Sequence, residues 1–460
     1  MNLPVHSPRL SKPSLAFVLL VFVVGMTWIA GGASRPDASG QAVVRAVAWV
    51  GLMVAMLGGV RSSFGQDRNV TLLLGAVIII VLVQLVPLPP TFWQALPSRA
   101  IPAAVPIRDA ATLWRPLSLV PSATLNAAMS LIVPAAVLLL ASALRPQERD
   151  RLTGMVLGLV VLAMLLGVLQ VSGAGVTNPF AGASQNEVSG PFANRNHFAL
   201  FLAIGCLIAP VWAFAGDRQP PWRGGLCLGL MPLFVLMILA TGSRAGLLLG
   251  TLGLGFGVAI ARQGIRRRLR RMSRRTMIGI VAAIATMLLL AIMLSIMADR
   301  AVSIDRVFEI DAAQDMRRRG LPVVLKMITI YFPAGTGFGG FDPIFRLNEP
   351  DVLLKPTYFN HAHNDFLEVV LDGGLLGLLL LVTAVAWWVW ASIRAWRAPV
   401  ERVLPRLGGA ILLLVFFASA FDYPARTPLI MVIVVLGAMF LNDQGVHRGT
   451  SALPREDQQL

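Results

Sequence analysis

The chain has 460 residues, 56% of them hydrophobic and 13% charged, with a mean hydropathy of +0.73. A soluble domain, about a quarter of whose residues carry charge, is excluded, and so is an outer-membrane barrel, whose strands would alternate apolar and polar residues. The net charge of +16 is that of a membrane protein with arginine-rich cytoplasmic loops, which sets aside nucleic acid as a partner and points to membrane lipids.

In chain order, apolar windows near the roughly 20-residue length that crosses a hydrocarbon core fall at 15–33, 42–60, 70–88, 123–144, 152–172, 196–215, 224–241, 245–262 and 276–297. Three more follow at 364–393, 406–421 and 428–442. The expectation is an all-α polytopic membrane protein of about twelve transmembrane helices. The first window follows Arg9 and Lys12 and reads as an uncleaved span. Cys206 and Cys227 lie in apolar stretches and read as small core residues. Residues 1–297 would hold helices one to nine, 298–363 one large loop, 364–442 helices ten to twelve, and 443–460 a cytoplasmic tail.

Orientation rests on residues 262–275, RQGIRRRLRRMSRR, where eight arginines lie between two windows. Such a loop faces the cytoplasm and its anionic lipid. Alternation then places Arg61, Arg68, Arg145, Arg149, Arg151, Arg218, Arg223, Arg394, Arg397, Arg402 and both termini inside. The outer face receives 89–122, 173–196, the tight turn TGSRAG at 241–246, and the long polar stretch 298–363.

That single placement gathers Arg195, His197, Arg244, Arg317, Arg318, Arg319, His361 and His363 on the outer surface. Ionisable groups at a membrane edge are costly and usually have a task. Arg244 reads either as a snorkelling arginine capping a hairpin or as an anion clamp with paired donors. Arg195 and His197 flank a helix start in NRNH, where Asn194 and Asn196 suit a turn or an N-cap. The triple arginine precedes an apolar stretch, 321–332, expected as a short helix lying on the membrane. GTGFGG at 335–340 lacks the βαβ context of a dinucleotide site, so its glycines are expected to make a turn with close backbone approach.

HAHND at 361–365 suggests a metal pair, but zinc needs a third ligand, and only His197 is near on that face. The alternative is that His363 is a base. It precedes a long helix whose positive end keeps an imidazole neutral, with Asp365 or Glu368 to orient the ring. Gly373, Gly374 and Gly377 would let that helix pack closely against its neighbours. A base beside arginines at the outer membrane surface fits glycosyl transfer from a lipid-linked pyrophosphate sugar. Arginines would meet the leaving group's growing charge, and the base would deprotonate an acceptor hydroxyl. A transporter or flippase of lipid-linked oligosaccharides is the competing reading. It would place its charges near the bilayer midplane in repeated halves, and no internal repeat is visible.

From His363 and Asn364, nine residues lead to Gly373, followed by Gly374, two leucines and Gly377. This spacing, with FPAGTGFGGFDPIF, TGSRAG and GPFANRNHFA, resembles the O-antigen ligase and polymerase superfamily of bacterial inner membranes. The resemblance implies a GT-C-like fold and a metal-independent inverting transferase that needs no cofactor. Its partners would be an undecaprenyl-pyrophosphate-linked glycan and an acceptor glycan or lipid A–core. It further implies His363 as general base and Arg244 as a pyrophosphate binder. A second binder would come from the triple, Arg319 being favoured over Arg318 and Arg317, with Arg195 beside them. His361, Asn364, Asp365 and His197 would support the site. The resemblance does not separate ligases from polymerases or from protein O-glycosylating relatives.

Overall fold

The computed structural model describes residues 12–99, 112–180, 187–216, 219–275, 312–354 and 359–443, with isolated positions between 278 and 289. These residues are mostly helical. In order they form α1 (Leu15–Ala30), α2 (Ser39–Leu57), α3 (Arg68–Val83), α4 (Pro90–Gln94), α5 (Pro121–Ser130), α6 (Ile132–Ser142), α7 (Pro146–Val171), α8 (Arg195–Phe214), α9 (Pro221–Ala240) and α10 (Arg244–Leu269). Then come α11 (Ala312–Tyr331), α12 (Phe341–Asn348), α13 (Asp365–Arg397), α14 (Val403–Ser419) and α15 (Pro428–Asn442). Among the described residues the only sheet is a two-residue antiparallel pair, β1 (Pro87–Leu88) and β2 (Arg115–Pro116), with Pro87 opposite Pro116.

Seven helical segments are long and apolar enough to cross a membrane: α2, Pro121–Ser142, α7, α8, α9, α10 and α13. Helices α1, α3, α14 and α15 are shorter and equally apolar. Together they coincide with eleven of the expected windows; most of the window expected at 276–297 and the loop from 298 to 311 lie outside the described residues. The protein is a multi-pass membrane protein.

Helix α8 is the axis of the bundle, buried on nearly every face. Lipid is as apolar as leucine, so close packing rather than hydrophobicity holds such helices together. Helix α10 supplies small residues on the face it turns to α8. A Cβ on Gly257 would come within 2.7 Å of the Leu207 carbonyl oxygen, and one on Gly253 would overlap the Ala203 carbonyl. At the opposite side, Gly408 of α14 brings its backbone against α15 in the same way. The helix ends are tied by polar groups. Ser14 caps α1 by accepting from Phe17 N at 3.2 Å, and donates through Oγ to Glu148 Oε2 of α7 at 2.8 Å.

A second, smaller core lies at one end of this bundle. Val324, Met327 and Tyr331 form one face of α11 and pack on Phe341, Ile344 and Phe345 of α12, with Phe359 and Leu371. Helix α11 starts earlier than the apolar stretch 321–332 had suggested. Arg317, Arg318 and Arg319 are therefore helical, and at about 100° per residue they point in different directions.

Helix α13 is broken at Gly374 (φ 56°, ψ −138°). The glycine turn expected at 335–340 fits into the break, with Gly335, Gly337 and Gly339 all at positive φ. Thr336 N donates to Leu371 O at 3.0 Å, Gly337 N to Asp372 O at 2.9 Å, and Leu375 N to Pro333 O at 2.8 Å. A Cβ on Gly335 would lie 2.6 Å from the Asp372 carbonyl oxygen, so only glycine allows this approach. The buried Arg99 guanidinium holds the turn from behind, donating to Gly335 O at 2.8 Å and Leu117 O at 2.7 Å.

Candidate active site

Three helices begin at the same place. Asn194 caps α8, accepting from Asn196 N at 2.8 Å; Ser243 caps α10, accepting from Gly246 N at 3.0 Å; Asn364 caps α13, accepting from Leu367 N at 3.0 Å. Each cap residue is a type that satisfies the free N–H groups of a first turn. The caps are also cross-linked. Ser243 Oγ donates to Asn196 Oδ1 at 2.8 Å, and Asn364 Nδ2 donates to the Ala420 carbonyl at 3.0 Å. Three positive helix ends thus converge, a setting that favours negative charge.

The negative charge at their centre is Asp422, in the turn after α14. Its Oδ2 accepts from Asn196 Nδ2 at 2.7 Å, Asn194 Nδ2 at 3.0 Å and the Arg317 guanidinium at 3.4 Å. Its Oδ1 accepts from Tyr423 N at 3.1 Å and lies 3.1 Å from His363 Nδ1. Burial would raise this carboxyl, but the His363 hydrogen bond and the Arg317 charge outweigh it and hold the acid well below the usual carboxylate range. An ionised carboxylate only accepts, so Nδ1 of His363 carries the proton and Nε2 presents its lone pair.

His363 itself has φ 50°, one of two non-glycine residues at positive φ among those described. Such a conformation costs about 1–3 kcal/mol and persists where the surroundings enforce it, often at functional sites. Its imidazole packs against Phe359 (centroids 5.1 Å apart) and Tyr423 (4.9 Å). Burial pushes His363 below the ordinary histidine value, Arg317 adds to the fall, and Asp422 partly offsets both. The ring is thus neutral near pH 7, and burial, rather than the helix end alone, is the main cause.

Tyr423 sits amid histidines: His361 at 4.2 Å and His197 at 5.3 Å between centroids, in addition to His363. Burial and the Asp422 charge push its phenol up to about 12, so it remains a donor. His361 Nδ1 lies 2.9 Å from Glu368 Oε1. His197, the third ligand that zinc would need, instead places Nδ1 3.0 Å from Thr427 Oγ1. Among the described residues no group of three His, Cys, Asp or Glu side chains is disposed to hold a metal ion.

Residues 229–382 match the family model described as O-antigen ligase. This stretch is an O-antigen ligase family domain. No curated protein matches the chain. The O-antigen ligase domain spans Arg244, the triple arginine, the glycine turn and His363, while Arg195, His197 and Asp422 lie outside it.

Of the residues expected at the site, His363 and Asn364 meet Asp422 and its turn directly. Arg195 and Arg244 are half-buried at the first turns of α8 and α10, with the Arg195 guanidinium against Gly242 beside Arg244. One expectation needs correction. Neither Asp365 nor Glu368 orients His363. Both point to the half-buried Arg426, Asp365 at 3.3 Å and Glu368 at 3.2 Å, and Asp372 joins them at 3.6 Å. These three acids share one face of α13 because positions 365, 368 and 372 recur at helical spacing. Within the triple, Arg317 is the arginine that reaches Asp422, whereas Arg318 is exposed and Arg319 donates to the Val352 carbonyl at 3.2 Å on the outside of α11.

Asp422, Tyr423 and Arg426 were missed from the sequence. A signal for them existed. The alternation that sets His363 outside also sets residues 422–427 outside, and a turn between two apolar windows that carries both an aspartate and an arginine is unusual.

Proposed function

We propose that this protein is a glycosyltransferase of the bacterial inner membrane. It moves a glycan from an undecaprenyl-pyrophosphate donor to an acceptor hydroxyl at the periplasmic face, with both termini in the cytoplasm. The acceptor is lipid A–core in ligation or a growing glycan in polymerisation. The observation that carries the reading is the His363–Asp422 pair, 3.1 Å apart, at the meeting point of three helix N-termini inside and beside the O-antigen ligase domain.

In this reading Nε2 of His363 takes the acceptor hydroxyl proton while Asp422 holds Nδ1–H, fixing tautomer and ring orientation. The freed oxygen attacks the anomeric carbon from the face opposite the lipid pyrophosphate, and the C–O bond to that pyrophosphate breaks with inversion. Negative charge grows on the leaving group. Arg244 and Arg195, on two of the converging helix ends, meet that charge, with Arg318 and Arg319 within reach of the bulk phase to guide the anion in. The arginines carry this role without a metal ion or cofactor. A flippase reading is less well supported, because the ionisable cluster gathers at one end of the bundle rather than half-way along it.

Deleting the protein and analysing the glycans tests the proposal. Finished chains stranded on the lipid carrier mark a ligase, and single repeat units mark a polymerase. Unchanged glycan, or normal glycan in a His363→Ala strain with the protein inserted, refutes it.

A further inference from the structure

We infer, resting on the glycosyltransferase reading above, that His361 is a second acceptor-binding residue. Its Nε2 takes a hydroxyl next to the one that His363 deprotonates, so the acceptor is a sugar rather than a protein side chain.

Two imidazoles stand here in the same arrangement. His363 Nδ1 lies 3.1 Å from Asp422 Oδ1, and His361 Nδ1 lies 2.9 Å from Glu368 Oε1. Both rings pack against one tyrosine, Tyr423, at 4.2 Å for His361 and 4.9 Å for His363 between centroids. Both keep a similar opening to the surface, with 14% of the His361 side chain and 15% of the His363 side chain exposed. A carboxylate only accepts, so each Nδ1 carries the proton and each Nε2 keeps a lone pair. Among the described residues nothing bonds His361 Nε2.

Support of Glu368 does not account for His361. That carboxylate has other donors: Oε1 lies 3.2 Å from Arg426 Nη1, and Oε2 accepts from Ala362 N at 2.8 Å. The dependence runs the other way. Ala362, between the two histidines, is buried and pinned by Glu368, so the carboxylate fixes both the segment and the ring beside it. An imidazole held through one nitrogen presents the other in a set direction.

Charge decides which substrate His361 meets. Behind it, Asp365, Glu368 and Asp372 gather on the single Arg426. That surplus of carboxylates repels a diphosphate and suits a neutral hydroxyl. The arginines suited to pyrophosphate, Arg195 and Arg244, begin α8 and α10 instead. A sugar carries hydroxyls on neighbouring ring carbons and meets two lone pairs at once. A serine or threonine offers one hydroxyl and leaves His361 Nε2 unpaired, which a site built for hydrogen bonding penalises.

The test places full-length variants, at equal levels, in a strain lacking the native copy, and measures transfer of the strain's own carrier-linked glycan in its membranes. His361→Asn keeps an amide nitrogen near Nδ1 to face Glu368 and removes the group at Nε2; it should lower transfer by about tenfold. His361→Gln loses the contact with Glu368 but places an amide at the Nε2 position; it should keep transfer within about threefold of the parent. Parental transfer by the asparagine variant, or damage in the glutamine variant as great as in the asparagine one, makes His361 a support for Glu368 and overturns the inference. Glycan recovered on protein serine or threonine overturns the sugar acceptor. Normal transfer by His363→Ala, in contrast, refutes the glycosyltransferase reading itself.

Discussion

Asp422 and His363 are 59 residues apart in sequence, yet a carboxylate oxygen of one lies 3.1 Å from Nδ1 of the other. The strained φ of 50° at His363 holds the ring over this carboxylate, so the pair is preorganised before substrate arrives. His363→Ala is expected to abolish glycan transfer. Asp422→Asn, which keeps shape but loses the charge that fixes the tautomer, is expected to lower turnover by about a hundredfold to ten-thousandfold. Both are checked by carrier-to-acceptor transfer in membranes containing equal amounts of each protein. Transfer by the asparagine variant at the parental rate would remove Asp422 from the mechanism.

The two neighbours of His363 push its protonation in opposite directions, and this yields a signed pH experiment. A neutral base loses activity as pH falls through its pKa. Asp422 favours imidazolium and Arg317 disfavours it, with burial lowering the pKa more than either. The acid limb of the rate profile therefore lies below the ordinary histidine value. Arg317→Gln should move that limb to higher pH. Asp422→Asn should move it to lower pH while also lowering the plateau. Shifts in the same direction in both variants contradict the assignment.

Among the arginines, the expected order of damage follows position. Arg244→Lys should impair transfer strongly, because an ammonium cannot form the paired contact with phosphate oxygens. Arg317→Gln should cost more than Arg319→Gln, since Arg317 reaches Asp422 and Arg319 donates to a surface carbonyl. Initial rates at several donor concentrations separate these effects.

Arg426 is enclosed by Asp365, Glu368 and Asp372. Arg426→Met leaves three buried carboxylates without their shared cation, a loss expected to destabilise the protein by about 3–5 kcal/mol. Thermal unfolding in detergent measures it. Arg426→Lys retains the charge but not the three-way contact, and should fall between the methionine variant and the parent.

Gly374→Ala tests the break in α13. A Cβ there would overlap the Pro333 carbonyl, and φ 56° with ψ −138° is glycine territory. The expected result is a fall of several degrees in the unfolding midpoint, with loss of transfer in the protein that remains folded. Gly75→Ala, at a position with open space around it, should change neither.

The helical windows were readable because a hydrocarbon core demands apolar runs of one length. The gathering of His361, His363, Arg195 and Arg244 was readable because alternation needs only one fixed loop. What escaped was the pairing. Asp365 and Glu368 are two and five residues after His363, but a residue in the first turn of a helix faces wherever the helix turns it, and both turn toward Arg426. Asp422 escaped because a single acid in a short turn carries no periodic signal. Which of Arg317, Arg318 and Arg319 reaches Asp422 depends on helix phase, and α11 starts earlier than the apolar stretch 321–332.

The break at Gly374 divides α13 into a short head and a long shaft. The head, residues 365–373, is fastened to the small lobe and the 422–426 turn, and the shaft from residue 375 onward runs along lipid. A bilayer that thins or thickens changes the tilt of long apolar shafts. An unbroken rod would carry that tilt straight to its tip. Here the rod is interrupted at Gly374, and its tip takes its position from the glycine turn and from Arg426.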